Sequence, residues 1–191
     1  MPIVIGAKPE SNFQDPIGLL TDCHRRVKKF AMVLRHIGDL RGSLLDAEQR
    51  SALDTALRYF REAAPKHTAD EESSLFPRLR IAAATGDPSN SVLDSLDSLE
   101  ADHDVADAMH AEVDSLGLRW LADGVLRDAD ADRFAWCAGA LVDLYERHIA
   151  VEENSIFPTA AGRLGKEELT AVGLEMAARR GIKETLFAIE F

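Results

Sequence analysis

Apolar residues recur at every third or fourth position along most of the chain, whereas strict alternation of apolar and polar residues is nearly absent. The first spacing places apolar side chains on one face of an α-helix, and the second would indicate half-buried β-strands. We therefore predict an all-α fold. A first helix is expected to begin at Asp15-Pro16, because a capping residue followed by proline is typical of a helix start, and to end near Arg41-Gly42.

Three further long helices and one short helix follow in the same pattern. Their predicted bounds are about 46–77, from the turn GDPSN at 86–90 to about 124, about 128–158, and 166–179. Pro65 lies inside the second of these helices. Because proline removes one backbone hydrogen bond, we expect a kink there rather than a helix end.

Four long helices with short connections are typical of an up-down-up-down four-helix bundle. We predict an extended N-terminal segment at 1–14, the bundle at 15–162, and a short C-terminal helix and tail at 163–191. The tail, IKETLFAIEF, is apolar enough to pack back onto the bundle.

An eleven-residue string occurs twice, on the second and on the fourth predicted helix. It reads HTADEESSLFP and then HIAVEENSIFP, with seven of eleven positions identical. In each copy a histidine precedes a glutamate by four residues, and at about 100° per residue the two side chains share one helix face. The pairs are His67 with Glu71 and His148 with Glu152, and each lies on the apolar face of its helix.

The first and third helices each carry one histidine on the apolar face, His24 and His103. At a rise of 1.5 Å per residue, all four histidines lie roughly 14–20 Å from the same end of the bundle. Burying carboxylates without a partner costs several kcal/mol each, so this cluster indicates a metal site. Imidazole with carboxylate suits Fe, Mn or Zn, and the number of donors exceeds what one tetrahedral zinc uses. Two metal ions bridged by Glu71 and Glu152 fit that number better.

The other identical residues of the two copies are expected to be structural. Glu72 and Glu153 are about 140° from the histidine of their own copy and should point away from it. The Phe-Pro pairs at 76–77 and 157–158 should each end a helix, with the phenylalanine closing the end of the bundle.

These residues resemble the hemerythrin-like (HHE cation-binding) family over about 15–160: His24, His67-x-x-x-Glu71, His103 and His148-x-x-x-Glu152, with the strings EESSLFP and EENSIFP. The resemblance implies two non-haem irons inside a four-helix bundle, joined by an oxo or hydroxo bridge. It implies that His24 and His67 bind one iron. The other iron would be bound by His103 and His148. Glu71 and Glu152 would bridge the two.

One position departs from the oxygen-carrying hemerythrins, which have a second histidine four residues after the one on the third helix. Here that position is Asp107, which is either a further ligand or leaves an open or water-filled position. Both options weigh against simple reversible oxygen carriage.

Glu100 and His110, on the same helix as His103, are further candidates for contact with the centre, whereas His36 is expected on the surface.

Charge and cysteine content exclude several classes of function. The net charge is −11, with 22 basic and 33 acidic residues, which argues against nucleic acid as a partner. Cys23 and Cys137 form no CxxC pair, so neither a disulfide scaffold nor a thiolate metal site is expected.

We find no signal peptide pattern and no run of about 20 apolar residues, and we therefore expect a cytoplasmic protein without membrane spans.

Three functional hypotheses follow. The first is a binding or sensing module whose di-iron centre takes up O₂, NO, peroxide or a related small ligand, or reports iron status. The second is an enzyme that uses the same centre on peroxide or NO, or that delivers iron for cluster repair. The third is iron storage or a structural metal site. The 191 residues include no attached output domain, which weakens a self-contained sensor and favours a stand-alone ligand-binding or stress-response protein.

Overall fold

The computed structural model describes residues 11–84 and 91–182, and this part of the chain contains helices and no β-strand. The α-helices are α1 Pro16–Gly38, α2 Ala47–Glu62, α3 Ala64–Asp70, α4 Phe76–Ala84, α5 Ser91–Asp123, α6 Asp128–Val151, α7 Phe157–Arg163 and α8 Lys166–Arg179. Two π-helical turns interrupt them, π1 at Glu71–Leu75 and π2 at Glu152–Ile156. The predicted all-α fold is confirmed.

The helices form four long rods and one short appended helix. The rods are α1, the run α2–α3–π1–α4, then α5, and the run α6–π2–α7. The first rod packs against α6 and α2, and α5 packs against the same two helices, so the rods enclose one core as a four-helix bundle. The C-terminal helix α8 packs against α1, α3 and π1. Nowhere in the described residues does a helix combine the length and the apolar character that crossing a membrane requires.

The predicted helix starts follow from their caps. The side chain of Asp15 accepts a hydrogen bond from the backbone of Gly18 at 3.0 Å, and Pro16 is the first residue of α1. Asp46 and Gln49 form a capping box at the start of α2. Each such cap contributes about 1 kcal/mol by satisfying backbone N–H groups that have no partner within the helix.

The first helix ends three residues earlier than predicted, at Gly38. Arg41 and Gly42 have φ angles of 51° and 76°, which lie in the left-handed region and are incompatible with a continuing helix. A Cβ atom at Gly42 would lie 2.1 Å from the carbonyl oxygen of Leu126, so this tight turn requires glycine.

The prolines affect the second and fourth rods in two different ways. Near Pro65 a kink inside one helix was predicted, whereas α2 ends at Glu62 and α3 begins at Ala64, so a one-residue break stands there instead. The prediction that Pro77 ends the rod is wrong, since α4 continues to Ala84. The prediction for Pro158 is wrong in the same way, because α7 continues to Arg163. Each of these two prolines follows a π turn and stands in the first turn of a new helical segment, where its missing N–H is not needed.

The apolar core consists of two clusters with a polar layer between them. One cluster includes Val27, Leu34, Trp120 and Phe134, and the other includes Leu20, Leu75, Phe76 and Ile156. Phe76 and Phe157, which were predicted to close the end of the bundle, are buried in the second cluster, and both rods continue beyond them. The short helix at 166–179 has the predicted bounds. The predicted turn at 86–90 and most of the tail and N-terminal segment lie outside the described residues, and the domain boundaries stay predictions.

Candidate metal centre

The polar layer is built by side chains from every rod of the bundle. Six of them are at most 8% exposed: His24 on α1, His67 on α3, Glu71 in π1, His103 on α5, His148 on α6 and Glu152 in π2. They lie on the core side because they follow the same three- and four-residue spacing as the buried apolar residues next to them. The structure therefore brings together all six side chains that the repeated string and its two partner histidines predicted.

One half of the layer is formed by the histidines of α1 and α3. The Nε2 atoms of His24 and His67 lie 3.7 and 3.5 Å from Oε1 of Glu71. His24 Nε2 also lies 3.1 Å from Oε2 of Glu152. Two imidazole nitrogens and one oxygen of Glu71 thus lie close together, and one oxygen of Glu152 lies beside His24.

The other half is formed by the histidines of α5 and α6 together with one oxygen of each glutamate. His103 Nε2 lies 3.5 Å from Oε2 of Glu71, and His148 Nε2 lies 3.3 Å from Oε1 of Glu152. Each glutamate therefore presents one carboxylate oxygen to each half. The two halves share both carboxylates, and each has its own pair of histidines.

The separations between these atoms suit coordination of metal ions. Two donors held about 2.1 Å from one ion at angles of 90–110° are about 3.0–3.4 Å apart, close to the 3.1–3.7 Å between nitrogen and oxygen here. All four carboxylate oxygens of Glu71 and Glu152, and Nε2 of His24, are buried without a hydrogen-bond partner in the described structure. Buried polar atoms are normally paired, so these inward-facing atoms fit a cation as their partner.

The pKa values of Glu71 and Glu152 are shifted because the two carboxyl groups are buried beside each other and beside the histidines. Burial, followed by the charge of Glu152, holds the pKa of Glu71 well above its usual range. Burial acts in the same direction on Glu152, but contacts with His148 and His24 outweigh it and lower the pKa of Glu152. Without a cation, one carboxyl group is thus favoured as neutral and the other as charged. A bound cation removes this conflict because it stabilises both charges.

A family model confirms the resemblance carried by the repeated string. The model described as "Hemerythrin HHE cation binding domain" matches residues 15–160. The chain belongs to the hemerythrin HHE cation-binding family. It is also similar to a protein of Haemophilus influenzae that is described as an "Uncharacterized protein", with 30% identity over 182 residues, 91% of this chain and 95% of the relative.

The HHE site has an outer layer of carboxylates that sequence reasoning did not identify. Glu72 was predicted to point away from His67, and its Oε1 lies 2.7 Å from Nδ1 of His103 on α5. Glu153 makes the same contact with Nδ1 of His24 on α1, at 2.9 Å. Pointing away from the histidine of its own rod directs each glutamate to the edge of the neighbouring rod, where another imidazole N–H donates to it. The identity of both glutamates in the two copies was the available signal for this role.

The other two histidines of the HHE site lack such a partner. Nδ1 of His148 lies 3.5 Å from Oδ2 of Asp102 without hydrogen-bond geometry. Nδ1 of His67 is buried and makes no hydrogen bond within the described structure. The four rings are therefore held unequally, because carboxylates accept from Nδ1 of His24 and His103, whereas Nδ1 of His67 and Nδ1 of His148 make no hydrogen bond in the described structure.

Several residues considered from the sequence lie outside the layer. Asp107 is exposed on α5 and belongs to neither group of clustered donors. Glu100 accepts a hydrogen bond from Arg80 at 2.8 Å.

His110 stacks on Phe60, with ring centres 4.0 Å apart, and is hydrogen-bonded to the hydroxyl of Tyr145 at 2.8 Å. His36 is exposed, as predicted, and Cys23 is buried.

We expect Glu72→Gln and Glu153→Gln to weaken metal binding without abolishing it. An amide accepts a weaker hydrogen bond from a ligating imidazole, and loss of such outer partners typically reduces metal affinity about 10–100-fold. Competition with a chelator of known affinity measures the change. Glu62→Gln, at the exposed end of α2, serves as the control and should leave the affinity unchanged. Wild-type affinity in both variants would contradict the orienting role of these glutamates.

Proposed function

We propose that this chain is a di-iron protein in which His24 and His67 bind one iron, His103 and His148 bind the other, and Glu71 and Glu152 bridge them. The proposal rests above all on one observation, that each buried glutamate presents one oxygen to each pair of histidines. Membership in the HHE family supports iron as the metal. An oxo or hydroxo bridge would complete the centre.

Each half offers four donors, two imidazole nitrogens and two carboxylate oxygens. A metal ion that takes five or six ligands therefore has positions free for a further ligand. Bound iron would supply one-electron chemistry and affinity for O₂, NO or peroxide. The protein residues do the rest. The apolar clusters on both sides keep water away, and Glu72 and Glu153 keep the rings of His103 and His24 in the tautomer that binds through Nε2.

We infer that the ligand state of this centre is the functional output, so that the protein binds or senses O₂, NO or a related small molecule. The exposed position of Asp107 supports an open coordination position rather than an additional protein ligand. An enzyme acting on peroxide or NO would use the same centre. Steady-state turnover with either substrate would favour that alternative.

Anaerobic iron loading followed by elemental analysis tests the proposed centre. We expect close to two irons per chain, and optical spectra recorded before and after exposure to O₂ should show an oxo-bridged charge-transfer band on oxidation. A reversible spectral change with O₂ or NO supports a binding or sensing role, and rapid irreversible oxidation favours an enzyme. A chain that binds no iron, or whose thermal stability is the same with and without iron, would contradict the proposal.

We also expect metal binding to release protons at neutral pH. Burial lowers the pKa of His24, but its contacts with Glu152 and Glu71 outweigh burial and raise it to about 10. In the metal-free chain, charged His24 therefore contributes stability below its unfolded pKa of about 6.5, and this contribution is lost as the pH rises through about 10. A metal ion needs the neutral ring, so binding at pH 7 must displace this proton.

The measurement is a titration with ferrous iron in weakly buffered solution containing a pH indicator. At least one proton per chain should be released, and the apparent iron affinity should decrease as the pH is lowered from 8 to 6, the range chosen for the experiment. Iron binding without proton release would show that His24 is neutral before the metal arrives.

A further inference from the structure

The two copies of the repeated string differ at the residue just before the first glutamate. In the first copy this residue is Asp70, whose side chain is fully buried. In the second copy it is Val151, which is 40% exposed. The two halves of the centre therefore share the same types of inner side chain. They differ in the residue that precedes the turn of each bridging glutamate, which is buried before Glu71 and exposed before Glu152.

Helix α8 anchors the first of these turns. Asp70 accepts hydrogen bonds from Arg179 Nη1 at 2.9 Å and from Arg180 Nη2 at 2.7 Å. Arg179 Nη2 also donates to the hydroxyl of Ser74 at 2.6 Å. Because Asp70 precedes π1 and Ser74 lies within it, Arg179 of α8 and Arg180, the residue that follows α8, hold the segment that presents Glu71 from both sides. Breaking a buried ion pair by removing one partner is strongly destabilising, so this segment resists movement.

Among residues 11–84 and 91–182, the second turn has no comparable anchor. Val151 and Ser155 occupy the positions that correspond to Asp70 and Ser74, and both are exposed. Outward movement of the segment that presents Glu152 therefore breaks no ion pair at these positions, although it does break the contact of Glu153 with His24, which Glu72 and His103 match in the other half. Exposure of the rings does not separate the halves, since His67 and His148 are 8% and 3% exposed. The difference lies in the anchoring.

A cavity of about 300 Å³ opens beside the unanchored turn, between α5 and α6. Its lining includes Ser98, Asp102, His148 and Val151, together with the exposed side chain of Arg147. The Nδ1 atom of buried His148 is unpartnered and lies 3.5 Å from the carboxylate of Asp102. A carboxylate, serine hydroxyl groups and an imidazole nitrogen along one cavity provide the oxygen and nitrogen donors that attract a hydrated divalent cation.

We propose that divalent metal ions enter and leave the centre through this cavity, on the side of His103 and His148, and that α8 keeps the other half closed to exchange. Asp102 is the first carboxylate that the entering cation meets, and outward movement of π2 completes the path. This inference rests on the proposed di-metal centre and adds to it the order in which the two metal ions are exchanged. The His103–His148 half fills and empties faster than the half formed by His24 and His67.

The experiment follows removal of iron from the full chain, loaded anaerobically with ferrous iron, by a colour-forming ferrous chelator in stopped-flow mixing. Two kinetic phases are expected, one for each ion. Ser98→Trp places a large side chain at the exposed mouth of the cavity and should slow only the faster phase, by about tenfold, equivalent to about 1.4 kcal/mol in the activation barrier. Ala122→Trp, at an exposed position near the other end of α5, is the matched control and should change neither phase.

A second variant tests the anchor. Asp70→Val introduces into the first copy the residue of the second copy and should accelerate only the slower phase. The opposite exchange, Val151→Asp, places an exposed carboxylate that α8 does not bind and should leave the slower phase unchanged. If Asp70→Val does not fold, Arg180→Lys weakens the same ion pair while keeping its charge, and the expected acceleration is smaller.

The outcomes separate this inference from the proposed centre. Two irons lost at one common rate, or rates that Ser98→Trp leaves unchanged, would overturn the entry route while leaving the di-iron centre in place. A chain that binds a single iron contradicts the proposed centre, and the effect of Ser98→Trp on that ion still decides whether the cavity is its route. A chain that binds no iron contradicts both.

Discussion

Glu71→Gln should prevent the chain from holding two irons, and it should do so without destabilising the metal-free protein. Glu71 faces His24 and His67 with one oxygen and His103 with the other, so both halves lose a charged donor at once. In the metal-free chain the same residue is a buried carboxyl group beside Glu152, and burial together with that neighbour raises its pKa. Glutamine has nearly the same shape and removes the cost of burying a second negative charge.

The measurements are iron stoichiometry and thermal unfolding with and without iron. We expect at most one iron per chain in Glu71→Gln. The stabilisation that iron gives the wild-type chain, about 2.7 kcal/mol when free metal is at 100 times its dissociation constant, should be largely lost. Glu72→Gln is the matched comparison, because it changes the next residue of the same turn and should retain both irons. Two irons and a full stability increase in Glu71→Gln would refute the bridging assignment.

Trp120→Ala should produce the opposite result, a large loss of stability with unchanged iron stoichiometry. The Trp120 side chain is fully buried in the apolar cluster on one side of the polar layer and makes an edge-to-face contact with Phe134, with ring centres 5.5 Å apart. Its indole N–H donates to the backbone carbonyl of Ser43 at 2.9 Å. Truncating a buried tryptophan leaves a cavity and costs about 3–5 kcal/mol, and here a carbonyl group also loses its partner.

Urea unfolding of the metal-free variant measures this loss, and elemental analysis of the loaded variant measures the iron. Trp136→Ala is the natural control, because the other tryptophan of the chain is 58% exposed and its removal should change the free energy of unfolding by less than about 1 kcal/mol. A loss of iron in Trp120→Ala would mean that the polar layer depends on this cluster for its geometry, contrary to the separation of core and centre described above.

Much of the fold could be predicted because its signals are local. Asp15 followed by Pro16, the capping box at Asp46, and Pro65 each act on the backbone within one turn of the chain, and the corresponding helix starts and interruption are present. The helix ends were less predictable. Pro77 reads as a stop in isolation, yet the preceding π turn places it at the start of a new segment, and no residue type marks a π turn in the sequence.

The inner side chains of the candidate centre were predictable for a related reason. A helix repeats every 3.6 residues, so spacing alone places His67 with Glu71 and His148 with Glu152 on buried faces. The outer contacts were not predictable in this way. Glu72, Glu153 and Asp102 contact histidines on other rods, and the rotation and separation of neighbouring rods decide which long side chain reaches which ring.

The sequence by itself determined the all-α architecture, the two copies of the histidine-glutamate pair and membership in the HHE family, because periodicity and a repeated string are properties of the chain alone. Only the tertiary structure decided that each glutamate faces both pairs of histidines, and that α8 holds the turn after Asp70 but not the turn after Val151. These features depend on contacts between residues far apart in the chain, 109 positions in the case of Asp70 and Arg179. Their energies arise only when packing removes water from both partners.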